Sequence, residues 1–391
     1  MPALRSLFLR IIMLGATAYG GPGMISQIKE TGVKKYGWVR EDDFLRGLAL
    51  CQLIPGATMV QIVTYMGYRV RGIRGALIAA IAFVLPAFIA MLLLSAIYFK
   101  LQTLWFIQAL FKGLGAIVVA ILINAGITFG QSILKDRKII LISALSFLAF
   151  FFRWNFLLIF LLAAVVSLLL RPKLPQTKVI LIPGGLDGKT VKEKRHLILG
   201  FLAVVIGAVL AVCYLIDPKI ANLSLILSKI GALAFGGGFT ILPLIQYEMV
   251  DRFHWLETKE FLDGIALGQV TPGPVMITAT FVGYKVSGFA GAAMATLGIF
   301  FPSFFILVLL IPYYDRLKGV KAVRIMEQGI LASFIGMLGL VLYNFGRASL
   351  VDLPRILMAA AAIFALHKKV SLPYILLGGG ILSVIFFGLL K

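Results

Sequence analysis

Residues 75–99, 103–130, 197–216 and 289–312 run almost without a charged side chain, interrupted once, by Lys112. A helix needs roughly 20 apolar residues to cross about 30 Å of hydrocarbon, so each run is long enough to be a membrane span. A backbone in lipid must satisfy its own polar groups, which leaves helices or a closed barrel. The ten-residue alternation of a membrane barrel is missing, so helices carry the fold. With 61% hydrophobic and 14% charged residues in 391, this composition belongs to a polytopic membrane protein and excludes a soluble domain.

Catalytic chemistry has little to stand on. The histidines, His196, His254 and His367, are scattered, and Cys51 and Cys213 sit in apolar surroundings that suggest neither a disulfide nor a metal site. HExxH, CxxC, GxSxG and Walker patterns are missing. The sequence therefore predicts no enzyme, no metal, no cofactor and no nucleic-acid ligand. Arg5, Arg10 and the apolar 11–14 stretch loosely imitate a secretory signal, but the apolar core breaks at Gly15 and the same words recur later, so the segment reads as mature protein.

That recurrence organises the chain. "AYGGPG", "GWVREDDFLRGLALCQLIPG", "MGYRVRGIRGA" and "FVLPAF" are followed later, in the same order, by "AFGGGF", "HWLETKEFLDGIALGQVTPG", "VGYKVSGFAGA" and "FFPSFF". The offset is 216 or 217: Gly20 matches Gly236, Trp38 Trp255, Phe44 Phe261, Gln52 Gln269, Pro55 Pro272, Gly67 Gly283 and Pro86 Pro302. So many matched glycines, prolines and a tryptophan indicate duplication. The sequence divides into an N-terminal repeat, 1–170; a polar, basic linker, 171–195; a connecting transmembrane helix, 196–219; and a C-terminal repeat, 220–391.

Lys and Arg mark cytoplasmic loops. Segments 29–46 (five), 67–74 (three), 135–138 (three), 171–195 (seven) and 313–324 (four) should face inward. Only residues 47–66 separate the first two, and a single crossing there would put them on opposite faces. The conflict disappears if 47–66 is a re-entrant hairpin with Pro55–Gly56 at its tip; 6–28 fits the same description with its tip at Gly20–Gly23. Crossings follow near 75–99, 103–133, 139–152, 155–170 and 196–216. That odd number puts the second repeat's loops outside, where 248–263 carries Arg252 and Lys259 against five acidic residues. Further crossings near 289–312, 325–346, 350–366 and 371–390 return 313–324 to the inside. The expected fold is an all-α polytopic membrane protein with two inverted-topology repeats, each of two re-entrant or broken helical hairpins plus about four transmembrane helices, joined by the linker and one extra helix. The N-terminus is expected in the cytoplasm.

Irregular backbone at membrane depth is tolerated where it lines a cavity, and broken transporter helices place substrate there. Four tips are expected: Gly20, Gly21, Pro22 and Gly23; Pro55 and Gly56; Gly236, Gly237 and Gly238; and Thr271, Pro272, Gly273 and Pro274. Each starts a limb whose N-terminus carries about +0.5 of a charge, so four converging would offer on the order of +2, matched to a dianion. Proline suits a first helical turn, Thr271 suits a cap, and glycine admits close approach of a ligand. Gln52, Gln269, Thr58 and Thr240 add polar side chains beside the tips, with Gln27, Gln61 and Thr278 near them. Packing glycines and prolines are common in membrane helices, but paired sites in two copies favour a substrate site over that reading. Lys229 is a candidate for attracting an anion, or snorkels to the interface. Carboxylates lie at loops or limb ends, among them Asp43 and Asp263; Glu30 and Glu248 are the candidates for coupling to protons.

These motifs, the glycine tips, Trp38 to Phe44 and Trp255 to Phe261, the "PG" and "PGP" turns, "GYRVRG" and "GYKVSG", and "LPAF" and "FPSF", closely resemble the chromate ion transporter family in its long, two-domain form. The resemblance covers nearly the whole chain, and departs from the fuller pattern where Ala57 stands opposite Pro274. It implies a multi-pass carrier in a prokaryotic plasma (inner) membrane that exports chromate, with sulfate as a structural mimic. Readings that remain open are a sulfate or other oxyanion carrier, an importer among them; a channel; and a membrane enzyme or accessory subunit. The bilayer and the dianion are the expected partners, with a homodimer as a further candidate.

Overall fold

The structure, a computed structural model, describes residues 3–18, 22–172, 195–235, 238–313 and 320–389. Gly20, Gly21, Gly236, Gly237, nearly all of the 171–195 linker and half of the 313–324 loop therefore lie outside the described residues. Every regular element among the described residues is a helix, with no strand among them. Thr58–Leu101, Trp105–Ile133, Val275–Tyr313, Lys321–Ser349 and Leu372–Leu389 are long and apolar enough to cross a membrane, and Phe156–Leu170, Leu202–Ile216 and Leu353–His367 are shorter apolar helices. This is an all-α, polytopic membrane protein with internal symmetry.

The chain forms two compact units, each drawing on both sequence repeats. One contains 1–92, 176–241 and 271–320; the other contains 93–175, 242–270 and 321–391.

In the first unit, Leu4–Thr17 ends at Ala18, whose φ of −82° and ψ of 113° are extended, and Pro22–Lys29 begins after the break. Gln27 Nε2 donates to Thr17 Oγ1 at 3.1 Å and the Arg10 guanidinium sits 4.1 Å from the Tyr36 ring centre, so the two limbs lie against each other. The next pair behaves likewise. Glu41–Leu53 ends at extended Ile54, and Thr58 starts the following helix. Gly47 gives room to the Tyr65 ring, and Arg69 pairs with Asp43 at 3.1 Å. A continuous helix rising about 1.5 Å per residue would separate Gly47 from Tyr65 by roughly 27 Å, so the chain has folded back at 54–57.

A second reversal follows at once. Arg71 and Gly72 leave helical geometry, Gly72 at φ +61°, and a Cβ on Gly67 would overlap the Gly75 carbonyl. The basic 67–74 stretch is thus a two-residue turn between helices 58–70 and 73–101 rather than a loop. The other repeat does the same at Ser287–Gly288, Gly288 at φ +56°, where Gly283 meets Gly291. Glycine is needed at both turns because an L side chain is disfavoured at positive φ. Equivalent close packing joins Gly15 to the Phe83 carbonyl and Gly231 to the Ile299 carbonyl.

In the second unit, small residues set the spacing, as expected where helices associate without a hydrophobic driving force. Gly113 donates its N–H to Ser383 Oγ at 2.8 Å, while Gly329 packs on Ser167, whose hydroxyl donates to the Ile325 carbonyl at 2.7 Å. Gly113 is equivalent to Gly329, and Ser167 to Ser383. Each repeat therefore packs its own glycine against the other repeat's serine. Ser146 and Ser333 hydroxyls meet at 3.1 Å on the same packed face.

Local geometry also repeats. Glu30–Lys35 and Tyr247–Arg252 are both π-helical turns. Each is followed by a stacked aromatic pair, Tyr36 on Trp38 at 5.1 Å and Phe253 on Trp255 at 4.8 Å.

Candidate functional site

The breaks of the first unit are held by hydrogen bonds that cross between repeats. Gly56 N–H donates to the Ala234 carbonyl at 2.6 Å, and Gly273 N–H donates to the Ala18 carbonyl at 2.7 Å. These bonds are equivalents: the Pro-Gly turn of each repeat is tied to the end of the other repeat's first limb. Gly238 completes the junction, since a Cβ there would lie 3.0 Å from Val275 Cβ. Gly56 at φ +137° and Gly273 at φ +111° occupy backbone that favours glycine. A Cβ on Gly56 would also lie 2.9 Å from Ser303 Oγ, and one on Gly273 2.8 Å from Ala87 Cβ.

The departure at Ala57 has a structural counterpart. Ala57 N–H donates to Ser303 Oγ at 2.8 Å, with Ser303 fully buried. In the other repeat Pro274 has no N–H to satisfy, and the position equivalent to Ser303 is Ala87. Donor and acceptor are present together or missing together. Gln61 Nε2 finishes the first-repeat tip, donating to the Pro55 carbonyl at 2.8 Å and the Ser303 carbonyl at 3.4 Å.

The amides of Gly56, Ala57 and Gly273 are thus occupied by protein acceptors. A helix leaves its first N–H groups without intrahelical partners, so the dipole charge of the 58–70 limb falls on the amides that follow, at Thr58 and Met59.

The side chains singled out by sequence divide in two. Thr58 and Pro55 are half-buried, and Pro272 likewise, while Gly56, Gly273, Pro274 and Thr271 are buried. Thr240 is buried and donates to the Phe235 carbonyl at 2.6 Å. Pro22 starts its limb, with Gly23 next to it. Gln52 is exposed, whereas its equivalent Gln269 is buried and its Nε2 has no hydrogen-bond partner. Lys229 is exposed in the last turn of its helix, and Glu30 is exposed. Glu248 is only 2% exposed and receives Arg252 at 3.0 Å.

The burial of several polar groups was not legible in the sequence. Asp43 and Asp263, assigned there to loops or limb ends, are both buried: Asp43 pairs with Arg69, and Asp263 accepts from the Tyr98 hydroxyl at 2.7 Å. Thr64 and Tyr65 are buried with hydroxyls lacking partners, and Gln61 Oε1 and both amide atoms of Gln246 are in the same state. Thr64 is orphaned because Ala80 stands where the other repeat has Thr296, which bonds Thr280 at 2.7 Å. Comparing the repeats residue by residue would have exposed Ser303, whose counterpart is Ala87, and Thr64, whose partner position holds Ala80 where the other repeat has Thr296. At the basic loop Lys29 bonds Glu41 at 2.6 Å, and this bond draws the Glu41 carboxyl below its ordinary range. Among the described residues no group of three His, Cys, Asp or Glu could hold a metal.

Spans interrupted in equivalent pairs, with the interruptions tied across two repeats, define a duplicated, broken-helix membrane transport protein. The chain belongs to the chromate transporter family, whose model matches residues 5–168 and again 221–384. It is similar to an uncharacterized transporter of Methanocaldococcus jannaschii, 36% identical over 381 residues, covering 96% of this chain and 92% of the relative. It is 29% identical over 395 residues to the chromate transport protein of Cupriavidus metallidurans, covering 99% and 94% of the two chains. A chromate transport protein of Pseudomonas aeruginosa is also 29% identical, over 404 residues, covering 97% and 92%. No solved structure matches the chain. The protein is a membrane transporter and not an enzyme.

Proposed function

We propose that the protein is a secondary transporter for a tetrahedral oxyanion that exports chromate across a prokaryotic plasma membrane, holding the dianion beside the joined helix breaks. The observation that carries this reading is the reciprocal pair of bonds, Gly56 to Ala234 and Gly273 to Ala18, which ties the irregular backbone of each repeat to the other. Broken helices at a repeat interface are where transporters of this architecture place substrate. The relatives named as chromate transport proteins support chromate over other oxyanions.

In this reading the site comprises Gly20 to Gly23, Gln52, Pro55, Gly56, Thr58, Gly236 to Gly238, Thr240, Gln269 and Thr271 to Pro274. Lys229 attracts the anion, and Glu30 or Glu248 couples it to protons. The repeats, 1–170 and 220–391, have inverted topology with two re-entrant hairpins each; 171–195 is cytoplasmic, as is the N-terminus, and 196–219 is the connecting helix.

The test is uptake of labelled chromate and sulfate into everted vesicles, with the pH gradient and the membrane potential imposed separately. Chromate accumulation driven by either gradient is expected, with sulfate competing. Accumulation of sulfate without chromate would make this a carrier of another oxyanion, uptake in right-side-out vesicles alone would make it an importer, and movement of neither ion would refute the reading.

A further inference from the structure

The two hairpins that end in Pro-Gly differ in charge at equivalent positions. In the first repeat the hairpin carries buried Asp43 and half-buried Arg46 and Arg69; at the equivalent sequence positions the second repeat carries half-buried Glu260, buried Asp263 and exposed Lys285. One set has two cations and one anion, the other two anions and one cation. Glu41 and Asp42, whose equivalents Thr258 and Lys259 go the other way, are exposed, where water screens charge.

Tyr65 makes the contrast chemical. Its ring fills the space left by Gly47, it is 1% exposed, and its hydroxyl has no hydrogen-bond partner. Arg69 follows Tyr65 by one helical turn and pairs with Asp43 across the hairpin, and Arg46 precedes Gly47 on the facing limb. A buried hydroxyl without a partner is costly, so a donor left in this state beside guanidinium groups is one that an acceptor would complete. The second repeat has Phe281 there, fully buried, with nothing to donate.

We propose that Arg46, Arg69 and the Tyr65 hydroxyl form a second oxyanion site, a staging point for the transported dianion between the limbs of the first repeat's Pro-Gly hairpin, without a counterpart in the second repeat. The proposal rests on the oxyanion reading above. Guanidinium groups match tetrahedral oxyanions through paired N–H donors, and the tyrosine supplies a further donor. Asp43, 3.1 Å from Arg69, opposes the ligand's charge and keeps the site shallow, which suits an ion that must move on.

The experiment is equilibrium dialysis of purified protein in neutral detergent against labelled chromate. Wild type should bind at two sites. Arg46→Gln and Tyr65→Phe should each weaken one of them about tenfold or more and leave the other unchanged, since a hydrogen bond to a charged group contributes about 1.5–3 kcal/mol. Tyr65→Phe keeps the ring against Gly47, so it tests the hydroxyl without emptying the core. A single site indifferent to both variants would overturn the proposal and leave the oxyanion reading intact. A single site lost in these variants but kept in Gly56→Ala would uphold this site and overturn the placement beside the helix breaks. No chromate bound by wild type would overturn both. A lipid headgroup offers the same phosphate-like chemistry: displacement from this site by phosphatidylglycerol but not by sulfate would assign it to lipid and overturn the proposal.

Discussion

Replacing Ser303 by alanine removes the acceptor of the Ala57 N–H at a place where water has no access. The bond is 2.8 Å long and the serine is 0% exposed, so the amide is left buried and unpaired. Such a group costs about 1–3 kcal/mol, and loss of the small hydroxyl adds little cavity. The second repeat supplies the control, for Pro274 and Ala87 do without both partners. Ala57→Pro in the Ser303→Ala background removes the orphaned donor, and the backbone accepts it: Pro274 sits at φ −74°, and Gly56 at φ +137° precedes Ala57 much as Gly273 at φ +111° precedes Pro274. The double variant should therefore regain most of the lost stability. A double-mutant cycle by thermal unfolding in detergent should give a coupling of about 1–3 kcal/mol, well above the roughly 0.3–0.5 kcal/mol expected of independent sites. Additive effects, or a Ser303→Ala protein as stable as wild type, would refute the argument that each tip matches donor to acceptor.

Three further outcomes are expected. Gly67→Val and Gly283→Val should both prevent correct assembly, seen as loss of the monodisperse peak in fluorescence-detected size exclusion, because each new side chain meets a carbonyl of the facing helix. Gly56→Ala should lose chromate transport in everted vesicles, because its Cβ would overlap Gln61 Nε2 and Ser303 Oγ and a non-glycine residue at φ +137° costs a further ~1–3 kcal/mol; normal transport would argue against the tip as part of the site. Cysteine at Lys34 should react with an impermeant maleimide only from the cytoplasmic side, and cysteine at Glu257 only from outside, both positions being exposed; labelling from one and the same side would contradict inverted repeats.

Much of the helical plan was legible because apolar length and the offset between repeats are written directly in the chain. The expected 103–133 crossing is Trp105–Ile133, 155–170 is Phe156–Leu170, and the break at Pro55–Gly56 falls between Leu53 and Thr58. The turn at Arg71–Gly72 was less so: the Lys and Arg that mark 67–74 as cytoplasmic hide how tightly Gly67 and Gly75 bring the two helices together. The junction at the breaks was only half visible. Glycine and proline announce where helices stop, but the partners, Ala18, Ala234 and Ser303, are unremarkable residues far away in sequence, chosen by the fold. The burial of two carboxylates stayed hidden for a related reason. Asp43 and Asp263 lie near basic or loop-like sequence, and only tertiary packing supplies Arg69 and Tyr98 as their partners.

Crosswise bonding has a consequence for how such a molecule could arise and be taken apart. Either half, made alone, would end its Pro-Gly turn on an amide whose carbonyl belongs to the missing half, and would carry a glycine facing a serine it does not possess. Its natural completion is another copy of the same kind of chain, so fusion of two halves converts an obligatory meeting of separate polypeptides into an intramolecular one. Severing the connection between the halves should accordingly matter less than losing either of them.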